Sequence, residues 1–172
     1  MRRPTLKEIG KQGEYLILNY FKDKGCNAVL SSCDYDEEKD LVVDGVKVEM
    51  KTQTIYRMFP MPNGSRAPAF TVDIETAYGK KYRNQLNKCK NVERLIFVAR
   101  PSKRDQVIRI YEAQPVEKRR YHVHRNAKDG RKVAGFMISD MTEIGTVTKD
   151  MTVAGVPGEK IITYFMDDWR ER

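Results

Sequence analysis

Apolar positions recur at three- and four-residue spacing near the start of the chain, where Leu6, Ile9, Gly10, Gly13, Leu16, Ile17, Tyr20 and Phe21 fall on one stripe. That spacing predicts an amphipathic helix. Thr5-Leu6-Lys7-Glu8 opens it as a capping box and Gly25 closes it. Residues 27–32 then form a short apolar run, followed by the acidic loop 33–40. From residue 40 to 53 the pattern switches to strict alternation around Asp44-Gly45. An Asp-Gly pair between alternating apolar residues predicts a hairpin with a two-residue turn. The register follows: Val43 faces Val46, Val42 faces Lys47, Leu41 faces Val48, and Asp40 faces Glu49.

Beyond the hairpin, apolar and aromatic positions continue through Ile55, Met58 and Phe59 until residues 59–68, where three prolines and Asn-Gly predict irregular structure. Alternation resumes at 69–75, with Phe70, Val72 and Ile74 on one side. Residues 76–90 read as a second helix carrying Tyr78, Tyr82, Leu86 and Cys89 on its apolar stripe. Residues 95–99 (LIFVA) are continuously apolar, as in a strand covered on both faces and reached by a helical crossover. Residues 107–113, 135–138 and 160–165 read as further strands. No linker or repeat divides the chain, so residues 1–172 form one expected domain, with a core over about 5–100 and a β-rich extension over 101–172.

Charge narrows the range of partners. The 172 residues carry 32 Lys and Arg against 24 Asp and Glu, a net charge of +8 that suits a polyanion. No apolar run approaches the length of a membrane span and no leader pattern opens the chain, so a soluble, cytoplasmic protein without a membrane partner is expected. Cys26, Cys33 and Cys89 are odd in number and widely spaced, which argues against a disulfide framework or a cysteine metal cluster. The acidic loop places Lys39 where a calcium loop requires glycine. His122 and His124 share one side of an expected strand, but the chain holds no third histidine. Nucleic-acid contact by Arg119, Arg120, Tyr121 and Arg125 around them is the expected use. No phosphate-binding glycine loop or nucleophile elbow occurs.

The hairpin carries the candidate chemistry. Lys47, Glu49, Lys51 and Gln53 share one face of its second strand. A facing Asp40–Glu49 pair in this register would be of the non-hydrogen-bonded kind, with Cα atoms only about 4.5 Å apart. Two such carboxylates repel unless a cation neutralises them, and Lys51 supplies part of that charge. A solvated hairpin face with a cross-strand salt bridge is the other reading of the same residues.

An aspartate followed by Glu-x-Lys on the next strand resembles the active site of the PD-(D/E)XK nuclease superfamily, the restriction-endonuclease-like fold. Gly10-Lys11-Gln12-Gly13-Glu14 on the first helix resembles the corresponding segment of archaeal-type Holliday-junction resolvases. Lys39 stands where the family motif has proline. The resemblance implies an α/β fold with an αβββαβ core and a mixed central sheet. It also implies Mg²⁺-dependent hydrolysis of DNA phosphodiester bonds, with Mn²⁺ able to substitute. Asp40 and Glu49, joined by Glu14, would be metal ligands, and Asp40, Glu49, Lys51 and Gln53 the catalytic set. Lys11, Arg57, Arg66, Lys80, Lys81 and Arg83 are the expected DNA contacts. A homodimer would suit paired strand cuts. A non-catalytic nucleic-acid-binding module on the same fold is the alternative.

Overall fold

The structure, a computed structural model, describes residues 2–30, 41–75 and 85–167. Asp40, the acidic loop with Cys33, and the segment with Lys80, Lys81 and Arg83 lie outside the described residues.

The first helix, α1 (Leu6–Asp23), is capped as its sequence predicts. Thr5 accepts a bond from the Glu8 N–H at 3.2 Å, and Glu8 accepts one from the Thr5 N–H at 2.6 Å. Leu6 departs from the expected stripe, at 79% exposed. The two glycines also part company. Gly10 faces open space, whereas a Cβ on Gly13 would stand 1.9 Å from Thr52 Oγ1. Only Gly13 is needed for close approach to the sheet.

Strands β1 (Ala28–Leu30), β2 (Leu41–Val43) and β3 (Val46–Gln53) form an antiparallel meander. The β2–β3 register is the expected one, pairing Leu41 with Val48, Val42 with Lys47 and Val43 with Val46. Asp44 and Gly45 both take positive φ, at 50° and 80°, the geometry of a type I′ turn. Asp44 Oδ1 also accepts from the Asn27 N–H at 2.7 Å, tying the turn to the start of β1.

The expected interruption over residues 59–68 is confined to the turn at 61–65. These residues belong to a hairpin of β4 (Tyr56–Pro60) and β5 (Arg66–Glu75). Its turn is built by Asn63, which accepts from the Ser65 N–H at 3.0 Å, and by Gly64 at φ 84°. The prolines are tolerated because Pro60 ends β4, and Pro68 lies opposite the irregularity between Tyr56 and Phe59.

Helix α2 (Gln85–Asn91) crosses to β6 (Arg94–Ala99), which pairs parallel with β3, and β7 (Ile108–Ala113) pairs antiparallel with β6. Strands β8 (His122–Arg125), β9 (Lys132–Met137) and β10 (Met141–Val147) follow. A small hairpin of β11 (Thr152–Val153) and β12 (Val156–Pro157) leads into α3 (Gly158–Phe165).

The result is an α/β protein with a mixed six-stranded sheet, ordered β1-β2-β3-β6-β7-β10, and a second sheet of four strands, ordered β4-β5-β9-β8. One face of the large sheet carries α1 and α3 over Val48, Met50, Ile96, Val98, Ile108 and Ile110. The other face, through Leu95, Phe97 and Tyr111, packs on α2 and on Phe70, Val72, Ala134 and Phe136 of the second sheet. Phe70 stacks on Phe97 with centroids 4.6 Å apart. Strand β6 is therefore covered on both sides, as its unbroken apolar run requires.

The C-terminal third is not an appendage. Strands β7 and β10 widen the central sheet, and β8 and β9 complete the second, whose inner face packs on β6. The expected strand over 160–165 is the helix α3 instead. Its Ile162 and Phe165, one turn apart, are 1% and 4% exposed. Burial against α1 overrides the β preference of Ile161-Ile162-Thr163-Tyr164-Phe165.

Candidate metal and catalytic site on β3

Alternation along β3 sends its side chains into two environments. Val48, Met50 and Thr52 point towards α1, while Glu49, Lys51 and Gln53 pair in register with Leu95, Phe97 and Ala99 and share their face. Glu49 is 1% exposed and is the sole buried charged residue among the described ones. The Lys51 ammonium lies 3.0 Å from Glu49 Oε1. It also donates to Gln85 Oε1 at 2.7 Å. The solvated-face reading of this strand therefore fails for Glu49, whose carboxylate is held in the interior beside a cation.

Gln85 escaped the sequence reading. It begins α2, a position that the apolar stripe of residues 76–90 does not mark, and only the crossover from β3 to β6 brings it onto Lys51. The far end of the same helix is held by Arg119. That guanidinium donates to the carbonyls of Cys89 at 2.7 Å and Val92 at 3.0 Å, and to Gln114 O at 3.0 Å. Burial holds its pKa below the usual arginine value. Arg119, expected among the nucleic-acid contacts, is thus a helix C-cap, with donors directed at carbonyls that the helix leaves open. Arg100 repeats the device at α3, donating to Phe165 O at 2.9 Å.

Gln53, expected in the catalytic set, spends one donor and one acceptor on the second sheet. Its amide accepts from the Thr71 N–H at 2.7 Å and donates to Thr71 O at 3.0 Å. A carboxamide carries the same donor and acceptor as a peptide, so Gln53 continues the β5 ladder past the start of β4.

Glu14 lies on α1, which packs on the opposite face of β3 from Glu49, and it pairs with Lys11 at 3.6 Å. Among the described residues, no three His, Cys, Asp or Glu side chains converge to hold a metal ion. Glu49 is one oxygen donor of the required kind. Asp40 lies outside the described residues, one position past the Leu41–Val48 rung.

Arg57 and Arg66 are exposed on the β4–β5 hairpin. Arg125 pairs with Glu75 at 2.8 Å, and Tyr121 packs against Phe136. His124 meets the Phe59 ring edge-on, with centroids 6.1 Å apart. Cys26 and Cys89 are free thiols. No described helix is long and apolar enough to cross a membrane.

These features define an α/β protein with a mixed central sheet and a buried carboxylate–ammonium pair on an inner strand. No protein-family model, curated protein or solved structure matches the chain.

Proposed function

We propose that the protein is a Mg²⁺-dependent endonuclease hydrolysing DNA phosphodiester bonds. The observation that carries this reading is Glu49, a carboxylate kept 1% exposed with the Lys51 ammonium at 3.0 Å on the same strand face. Burying a charge is costly, and titratable groups held in such surroundings gather at functional sites. The resemblance of Asp40, Glu49 and Lys51 to the PD-(D/E)XK pattern supplies the reaction class.

On this reading Glu49 and Asp40 hold the ion. When bound, Mg²⁺ polarises the scissile phosphate and lowers the pKa of a coordinated water. Lys51, steadied by Gln85, orients the attacking water and offsets the negative charge that develops on the phosphoryl oxygens. Gln85 thereby takes the supporting place first given to Gln53.

The test offers linear, nicked, branched and single-stranded DNA with Mg²⁺ or Mn²⁺ to the wild type and to Glu49→Gln. Cleavage of at least one substrate, lost in the variant while its circular dichroism is unchanged, is the expected result. If nothing is cut and neither ion raises the melting temperature, the catalytic reading fails and a binding module remains.

A further inference from the structure

The second sheet turns one face to the large sheet and the other outward. Register places Ala69 and Thr71 of β5, Val133 and Gly135 of β9, and His122 and His124 of β8 on the outward side. Small residues across its middle leave a trough. Phe59 fills it, lying so close over Gly135 that a Cβ there would sit 2.5 Å from the ring. Tyr56 flanks that ring on one side with centroids 6.5 Å apart, and His124 on the other at 6.1 Å. The row ends in a Tyr56 ring that is 52% exposed.

Charge on the same sheet is one-sided. Residues 56–75 and 120–137 hold seven Arg and Lys against three Asp and Glu. Two of those acids are already neutralised, Asp73 by Arg131 at 3.0 Å and Glu75 by Arg125 at 2.8 Å. Arg57, exposed beside Tyr56, has no ion-pair partner among the described residues, whereas Arg66 alternates to the opposite side of β5 from Ala67. Tyr56, Arg57, Thr71 and Arg131 also line an open cleft of about 550 Å³ beside the row, a size typical of small-ligand sites.

We propose that this outward face binds an unpaired nucleic-acid strand, with a base stacked on Tyr56 and an adjoining phosphate held by Arg57. An exposed ring beside an uncompensated guanidinium is what a single strand requires, because its bases offer π-faces and its backbone a line of charge. A paired duplex hides those faces. The inference goes beyond the nuclease reading and does not need it, since neither Glu49 nor Lys51 lines that cleft.

Binding of short fluorescein-labelled oligo(dT) and oligo(U), and of a hairpin duplex, is measured by anisotropy in EDTA, where no metal-dependent cleavage occurs. Wild type binds at least one single strand more tightly than the duplex. Tyr56→Ala weakens that binding roughly tenfold, the loss of one stacked base, and leaves duplex binding unchanged. Tyr56→Phe restores it. Arg57→Ala makes the salt dependence shallower by about 0.7 in the log–log slope, the value for one phosphate contact on a single strand. Cleavage plays no part in this readout, so a failure of the nuclease reading leaves the result standing. The proposal is overturned if Tyr56→Ala binds both single strands as well as wild type, if it loses duplex and single strand alike, or if wild type binds neither oligonucleotide at low salt.

Discussion

The Lys51 ammonium bridges Glu49 Oε1 at 3.0 Å and Gln85 Oε1 at 2.7 Å, joining a buried carboxylate on β3 to the first residue of α2. Lys51 is therefore a structural as well as a chemical element. Lys51→Ala takes the cation away from a carboxylate that is 1% exposed. Removing one partner of a buried pair costs about 3–5 kcal/mol, and the partial exposure of Lys51 brings the expectation down to about 2 kcal/mol. Urea unfolding checks it, and adding Glu49→Gln to Lys51→Ala recovers most of the loss.

Gln53→Leu is expected to destabilise by about 2 kcal/mol, because both the N–H and the carbonyl of Thr71 lose a partner where the two sheets meet. Chemical denaturation measures the change. A variant as stable as wild type would show that water replaces the amide.

Arg119→Lys is not conservative here. A guanidinium reaches the carbonyls of Cys89, Val92 and Gln114 together, which a single ammonium cannot do. Stability falls by about 1–2 kcal/mol for lysine and further for alanine. Hydrogen exchange is expected to quicken first in α2, the helix whose end it holds.

Ala154 sits at φ 49° ahead of Gly155 at φ 77° in the turn between β11 and β12. A type I′ turn prefers asparagine at that first position, so Ala154→Asn is expected to stabilise by about 0.5 kcal/mol, read from thermal unfolding. The Ala154 N–H, which donates to Asp23 Oδ2 at 2.8 Å, is unaffected by the change.

Glu8 carries a pH dependence. The hydrogen bond from Arg2, then that from the Thr5 N–H, lowers its carboxyl pKa from 4.5 to about 2. Its contribution is complete above pH about 4.5 and fades as the pH falls towards about 2. In Glu8→Gln the melting temperature therefore loses less across that window than in wild type. Both groups are on the surface, so the difference is small and shrinks with salt.

Local chemistry was legible along the chain wherever neighbours in sequence set the geometry. The Thr5–Glu8 cap, the Asp44-Gly45 turn with its register, and the doubly covered β6 all follow from residues close in sequence or from one unbroken apolar run. The strand face shared by Glu49 and Lys51 followed as well, because alternation along an extended backbone leaves no choice.

Long-range packing decided the rest. Residues 158–165 carry a strand-like composition, yet burial of Ile162 and Phe165 against α1 makes them helical. Gln53 shares a face with Glu49, yet the second sheet claims its amide. Arg119 is one arginine among many until the end of α2 arrives with its open carbonyls. Alternation and turn residues act within a few positions of themselves. Which polar group meets which depends on the crossover and on the stacking of two sheets, and those are properties of the whole folded chain.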